Sequence, residues 1–314
     1  MRDKILRILV MLASMVVLVA IGIIIGINIR TENCKPSFRL TGLHGWTMQK
    51  GYEGNMIEAN FLSYVRASYI LIGTYPDCEY YKIASGVPRN DYDTEQFYIE
   101  DDGDFMYYHD DNGNRVSTIA IDVSEFQANI EWDRLKDAGV DTVMIRAGYR
   151  GYGSGLLVED SRFSERIAAA TKVGLTVGVY FFTQAISYEE GAEEAEYVMN
   201  LVSDYNIKGP IAIDTEFLDV PEARTYNLDN ETRTQSVVGF CETVRAAGYV
   251  PMIYSNRNWF ATNLDMSVLG NYKLWLAQYA NEPDFPYVYS GWQYTDQGVI
   301  DGVDGYVDLN VWFD

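Results

Sequence analysis

Four carboxylates stand at the ends of short apolar runs. Asp122 follows Ile119-Ala120-Ile121, Asp214 and Glu216 close Ile211-Ala212-Ile213-Asp214-Thr215-Glu216, and Asp308 lies in Val307-Asp308-Leu309-Asn310. An ionisable group behind three apolar residues is costly to bury unless it is paired or functional. Asp214 and Glu216 are one residue apart, and strand side chains alternate, so both point to one face. Like charges held close raise the proton affinity of one member, the condition for a general acid that keeps its proton near neutral pH. Glu216, longer and nearer the rim, suits the acid. Asp214, shorter and deeper, suits the stabilisation of positive charge or the orientation of a substrate group. Surface acids are the bland alternative for a lone pair, and four carboxylates at strand ends weigh against it. An oxygen-rich cluster also suits magnesium or calcium, but the expectation is no metal and no cofactor.

These residues need a scaffold that brings strand ends together. After Thr118 apolar β-rich runs alternate with helical segments, the pattern of parallel strands joined by crossover helices. Strands are predicted at Ile119 to Ser124, Thr142 to Gly148, Thr176 to Phe182, Pro210 to Glu216, Val250 to Ser255, Lys273 to Tyr279, Ser290 to Tyr294 and Val307 to Val311. Trp132 to Ala138, Phe163 to Lys172, Tyr188 to Asp204 and Glu231 to Ala247 have helical composition, with Gly139, Gly174 and Gly248 where helix C-caps belong. Eight strands predict an irregular α/β, (β/α) TIM-like barrel over residues 118–314. Beyond Tyr279 the connections are too short for full crossover helices. In such barrels the working residues sit at the C-terminal strand ends. Of the aromatic residues there, Tyr149, Tyr180, Tyr254, Trp275 and Trp292 are candidates to stack on sugar rings, and Gln278 and Tyr294 to hydrogen-bond them. Trp132 and Trp259, on helices, are assigned to packing.

Residues 31–117 have poor periodicity, frequent Gly, Asn, Asp and Tyr, and turn signals at Asp102-Gly103 and Asn112-Gly113, and are predicted to be an extracytoplasmic β-rich spacer. Phe97 to Glu100, Phe105 to His109 and Val116 to Ile121 would form its meander. Residues 1–30 are predicted to be a cytoplasmic tip and a transmembrane helix acting as signal anchor. Ile8 to Ile27 is long enough to cross a bilayer, and Arg2, Lys4 and Arg7 precede it, which places the N-terminus inside. The expected location is the cell membrane, single-pass with the catalytic domain outside, or secreted if the segment is cleaved.

Composition removes other chemistries. A formal net charge of −21 argues against nucleic acid, whose phosphates are gripped by Lys and Arg. The three cysteines, Cys34, Cys78 and Cys241, are too scattered for a disulfide scaffold or a metal site, although Cys34 and Cys78 could pair outside the cell. Both histidines, His44 and His109, precede the barrel, which leaves it no histidine for a triad.

From Ile119 to Asp314 the chain resembles the glycoside hydrolase family 25 lysozymes, the Chalaropsis-type N-acetylmuramidases. The resemblance rests on Asp122-Val123-Ser124-Glu125-Phe126-Gln127 with Ile130-Glu131-Trp132, then Ile145-Arg146-Ala147-Gly148-Tyr149, Gly178-Val179-Tyr180-Phe181-Phe182, Asp214-Thr215-Glu216, Leu274-Trp275-Leu276-Ala277-Gln278-Tyr279, Trp292-Gln293-Tyr294 and Val307-Asp308-Leu309-Asn310, in this order. It departs in having Thr215 within the D-x-E and Phe181-Phe182 where a histidine is frequent. The resemblance implies a peptidoglycan hydrolase cleaving the β-1,4 bond between N-acetylmuramic acid and N-acetylglucosamine with retention. It implies Glu216 as general acid, with Asp122, Asp214 and Asp308 around it. Either the substrate's 2-acetamido oxygen, steadied by Asp214, or a carboxylate would be the nucleophile. The competing readings are a noncatalytic wall-binding or tethering protein on the same fold, and a chitinase-like hydrolase. The D-x-x-D-x-D-x-E strand of the latter is absent, since positions 209 to 213 read Gly, Pro, Ile, Ala, Ile.

Overall fold

The structure is a computed structural model that describes residues 67–74, 77–100 and 105–313. The apolar stretch from Ile8 to Ile27, Cys34, His44 and the Asp102-Gly103 turn lie outside these residues. Among the described residues no helix is long and apolar enough to cross a membrane. The chain divides into two compact units, residues 1–83 and 84–314. In the first, β1 (Tyr69–Thr74) and β2 (Asp77–Lys82) form an antiparallel pair.

The second unit holds the barrel. Its strands are β5 (Thr118–Val123), β6 (Thr142–Arg150), β8 (Thr176–Phe182), β9 (Ile211–Asp214), β10 (Pro251–Asn256), β11 (Lys273–Ala277), β12 (Gly291–Gly298) and β13 (Val307–Trp312). Going round, they are ordered β5, β6, β8, β9, β10, β11, β12 and β13, and β13 pairs with β5 to close the ring. All neighbours are parallel except those of β13, which runs antiparallel to both β12 and β5. The predicted irregularity falls there. A chain leaving β12 by a short turn can only reverse, whereas a parallel return needs a crossover. A short strand β7 (Leu157–Glu159) adds to the outer edge of β6.

Helices α1 (Trp132–Asp137), α2 (Phe163–Lys172), α3 (Tyr188–Val202) and α4 (Asn230–Ala246) occupy the predicted crossovers. Ser187 and Asp229 cap α3 and α4 by accepting from the amides of Glu190 and Thr232, as side-chain oxygens do at helix starts. Gly139, Gly174 and Gly248 take positive φ just past α1, α2 and α4, the left-handed residue that ends a helix. Two further short helices, α5 (Arg257–Thr262) and α6 (Met266–Leu269), follow β10.

The barrel interior is filled by Met144, Met252, Tyr254, Trp275 and Trp312, with Ala120, Ala212 and Ala277 making room for the large rings. This packed plug closes the barrel below its C-terminal mouth, so polar residues at the strand ends are held over a rigid floor.

The hairpin of β3 (Phe97–Ile99) and β4 (Met106–Tyr108) belongs to the barrel's unit. The sequence places it in a spacer ending at residue 117. In the structure the ring of Phe97 meets Trp292 of β12 edge-on at 5.0 Å between centroids. Aromatic packing of this kind joins the hairpin to the barrel wall.

Candidate active site

The segment after β9 is held from behind. Ser255 Oγ donates to the Thr215 carbonyl at 2.6 Å, the Thr215 amide donates to the Tyr254 carbonyl at 3.1 Å, and Trp259 Nε1 donates to Thr215 Oγ1 at 3.3 Å. Thr215 therefore faces the helix side, and the residues on either side of it face the mouth. Asp214 and Glu216 accordingly line a cleft of about 510 Å³ together with Asp122 and Asp308. Asp308 lies opposite Asp122 in the β13–β5 ladder. Tyr180, Tyr254 and Trp275 line the same cleft. Gln278 lines an adjoining cavity of about 440 Å³ that shares Glu216 and Tyr279 with the first.

Three sequence candidates lie elsewhere. Trp292 is fully buried, donates Nε1 to the Gln278 carbonyl at 2.9 Å and packs on Phe97. Tyr294 follows it on the outer face, and its hydroxyl accepts from the Met106 amide at 3.4 Å. Strand alternation explains both, because Gln293 between them points inward and lines the cleft. Tyr149 lies beyond an irregularity in β6 between Arg146 and Gly148, with its ring 5.6 Å from the Arg146 guanidinium and outside both cavity linings.

The sequence reading missed Gln293, Asn310, Tyr279, Arg146 and Phe126. The signal for Gln293 was the same period of two that sends Trp292 outward. Phe126 lines the cleft while 79% exposed, and the Arg146 guanidinium lies 4.9 Å from its ring centre. Arg146 is fixed by Asp160 and Glu125, each at 2.8 Å.

A directed hydrogen-bond network sets the charge on Asp122. The Tyr254 and Tyr279 hydroxyls donate to Gln293 Oε1 at 2.8 and 3.0 Å. The Gln293 amide nitrogen then donates to Asp122 Oδ2 at 2.9 Å. From the other side the Trp275 indole, a donor only, donates to Asn310 Oδ1 at 2.6 Å, and Asn310 Nδ2 donates to the same Asp122 oxygen at 2.9 Å. Asp122 thus receives two amide donors and is built to be the anion. Burial lifts it to about 6 even so, against the pull of Asn310, Gln293 and Asp308. Asp308 rises to about 8, through burial, the Asp122 charge and a hydrogen bond to Asp122. The two amide donors on Asp122 therefore favour holding the proton of this pair on Asp308.

Burial, and then Asp308, raise Glu216 to about 7. Asp214 is raised well above the usual carboxylate range by burial and by the charges of Glu216 and Asp122. It is 5% exposed, and its Oδ1 is buried without a hydrogen-bond partner. An orphaned buried acceptor at a cleft wall is costly, and a ligand N–H would satisfy it. The arrangement therefore offers a proton on Glu216 near neutral pH, an anion at Asp122 and an unfilled acceptor at Asp214. Among the described residues no three His, Cys, Asp or Glu side chains are disposed to hold a metal ion.

Residues 121–303, more than half of the chain, match the family described as Glycosyl hydrolases family 25. The autolytic lysozyme of Clostridium acetobutylicum is 27% identical over 191 residues, which cover 60% of this chain and 54% of that protein. The modular autolysin LytC from Streptococcus pneumoniae, solved in complex with a synthetic peptidoglycan ligand, is 26% identical with a TM-score of 0.56, covering 78% of this chain and 56% of LytC. A family 25 glycosyl hydrolase from Bacillus anthracis shares the fold at 22% identity and a TM-score of 0.54, covering 66% of this chain and 93% of its own. This chain thus spans little more than half the length of the first two relatives. On the family match, the chain belongs to glycosyl hydrolases family 25.

Proposed function

We propose that this chain is a retaining muramidase, which cleaves the β-1,4 bond between N-acetylmuramic acid and N-acetylglucosamine in peptidoglycan. The observation that carries the reading is the pairing of Glu216, held near its protonation point, with Asp214, whose buried Oδ1 lacks a partner, in one cleft. The relatives support the substrate class, since one is an autolytic lysozyme and another was solved with a peptidoglycan ligand.

In this mechanism Glu216 gives its proton to the glycosidic oxygen as the bond to the anomeric carbon breaks. The 2-acetamido oxygen of the same sugar attacks that carbon and closes a positively charged ring, while the acetamido N–H donates to Asp214 Oδ1. That donor pulls Asp214 towards its anion, which steadies the ring, and Asp122 adds negative charge beneath it. Water then attacks the anomeric carbon from the vacated side, Glu216 takes its proton, and the ring reopens with configuration retained.

Mass analysis of fragments released from purified peptidoglycan is the test. Muramic acid at the new reducing end supports the proposal, and glucosamine at that end overturns it. The proposed domain plan is an anchor at 1–30, a spacer at 31–83 and a catalytic unit from 84 whose barrel starts at 118, with the anchor holding the hydrolase at the outer face of the cell membrane. The apolar Ile8 to Ile27 stretch behind three basic residues supports that placement.

A further inference from the structure

We propose that Trp259 is a positioning residue for the acid, gripping the two residues that flank Glu216 and so holding its carboxyl at the wall of the cleft. The inference rests on Glu216 being the acid of a glycoside hydrolase. Strand β9 ends at Asp214, and the pairing of Asp214 with Tyr254 is the last rung of its ladder with β10. Glu216 lies two residues beyond that rung, so the ladder does not fix it. Its neighbours do. Thr215 is tied to β10 through its amide and its carbonyl, by the Tyr254 carbonyl and Ser255 Oγ, and any residue could offer those two backbone groups. The third tie, from Trp259 Nε1 to Thr215 Oγ1 at 3.3 Å, needs a hydroxyl at this position. On the other side of Glu216 the ring of Phe217 meets the ring of Trp259 at 5.8 Å between centroids. One indole thus touches both neighbours of Glu216, and a chain held on either side of a residue limits how that residue can turn.

Trp259 is itself fixed. Its amide donates to Asn256 Oδ1 at 2.9 Å at the start of α5, and the guanidinium of Arg233, on α4, lies 4.6 Å from its ring centre. Arg233 is 5% exposed, and its buried Nε lacks a hydrogen-bond partner among the described residues. Burying an unsatisfied N–H is costly, and the face of the indole offsets that cost in part. A buried cation in place of an apolar side chain is a local conflict of the kind that collects where a side chain must stay in one place. The acid is thereby coupled to α4 and α5 through a single ring.

Trp259→Phe removes the indole N–H and keeps a ring against Phe217 and Arg233, and Thr215→Val removes the hydroxyl at nearly constant shape. Each is expected to lower kcat on soluble peptidoglycan fragments about tenfold with KM within about twofold, the effect of slightly displacing a reacting group. The double variant should fall no further than either single one, because both break the same bond. The basic limb of the kcat/KM profile, which reports the acid of the free enzyme, should move to lower pH. Burial, and then Asp308, hold the Glu216 carboxyl at about 7, and a carboxyl released towards water returns towards 4.5. The other groups around its two cavities, Asp122, Asp214, Asp308, Arg146, Arg257 and the phenols of Tyr180, Tyr254 and Tyr279, are unchanged in these variants. Thr215→Ser keeps the hydroxyl and should keep the limb of the wild type. Unchanged kcat, a fall in kcat with the limb unmoved, or losses that multiply in the double variant overturn the proposal. A second measurement does not depend on turnover. With isotope-labelled glutamate carboxyls, the Glu216 signal is the one lost in Glu216→Gln, and its titration is followed by NMR in the full chain in detergent, with and without Trp259→Phe. A midpoint lower by about one pH unit supports the assignment, and an unchanged midpoint overturns it. A wild-type protein that turns over no peptidoglycan sinks the hydrolase reading, and the titration still decides whether Trp259 holds the carboxyl.

Discussion

Function and stability pull against each other in the cleft. Asp122, Glu216 and Asp308, with ordinary values of 3.8, 4.5 and 3.8, are raised to about 6, 7 and 8, and Asp214 is also raised, by burial and the charges of Glu216 and Asp122. Each raised carboxyl binds its proton more tightly in the folded than in the unfolded chain. Their contribution to stability is therefore complete below about pH 4 and is lost as pH rises through each folded value, 6 to 8 for the first three. Asp214→Asn and Glu216→Gln remove one such group each. Both variants should lower turnover of peptidoglycan by at least ~100-fold, the scale of general acid catalysis, and both should melt higher than the wild type at pH 8, with the difference closing at pH 4. Activity near normal in either variant refutes its assigned role, and a lower Tm at pH 8 refutes the account of its burial. Phe126 makes a cleaner binding probe, because a residue 79% exposed contributes little to the core. Phe126→Ala should raise KM for the glycan several-fold with kcat within about twofold, and Phe126→Trp should restore it. A loss of kcat that Trp does not restore would mean that Phe126 acts through Arg146 and not as a platform for sugar.

Among the elements, α3 and α4 depend on two glycines. A Cβ on Gly191 would overlap the Ser236 carbonyl, and one on Gly239 would overlap the Tyr188 carbonyl, so the helix backbones touch where these residues cross. Gly191→Ala should cost about 1–3 kcal/mol, the usual scale of overpacking, read as a lower denaturant midpoint. An unchanged midpoint would mean that the helices separate freely. Glycine is ordinarily the weaker helix former, so a stabilising effect would also contradict the close approach. The strands and crossover helices were legible in the sequence because each carries its own period, and Gly139, Gly174 and Gly248 mark helix ends without tertiary help. So was the inward pair of Asp214 and Glu216, which needs only the period of two. What the sequence hid is long-range or concerns register. The irregularity at Arg146 and Gly148 leaves no residue signature, and it takes Tyr149 out of register with the cleft residues. Trp292 was misplaced because an aromatic residue at a strand end suits a groove and a core equally, and only the hairpin carrying Phe97 decides which.

At the scale of the whole molecule, the net charge of −21 bears on where the protein works. An acidic protein is repelled by anionic lipid headgroups, so charge alone would carry the barrel away from a membrane. The proposed retention at the membrane rests on apolar insertion. The Ile8 to Ile27 stretch has the length for that, and a spanning helix holds far more firmly than a surface charge patch. The full chain, expressed in a bacterium and fractionated, should be recovered with membranes, should resist extraction by high salt and should dissolve in detergent. Deletion of residues 1–30 in favour of a cleavable signal should move it to the soluble fraction and leave its turnover of soluble peptidoglycan fragments within about twofold. Salt extraction of the full chain would replace insertion with a surface contact, and protein found mainly in the culture fluid without its N-terminal residues would make the apolar stretch a cleaved leader.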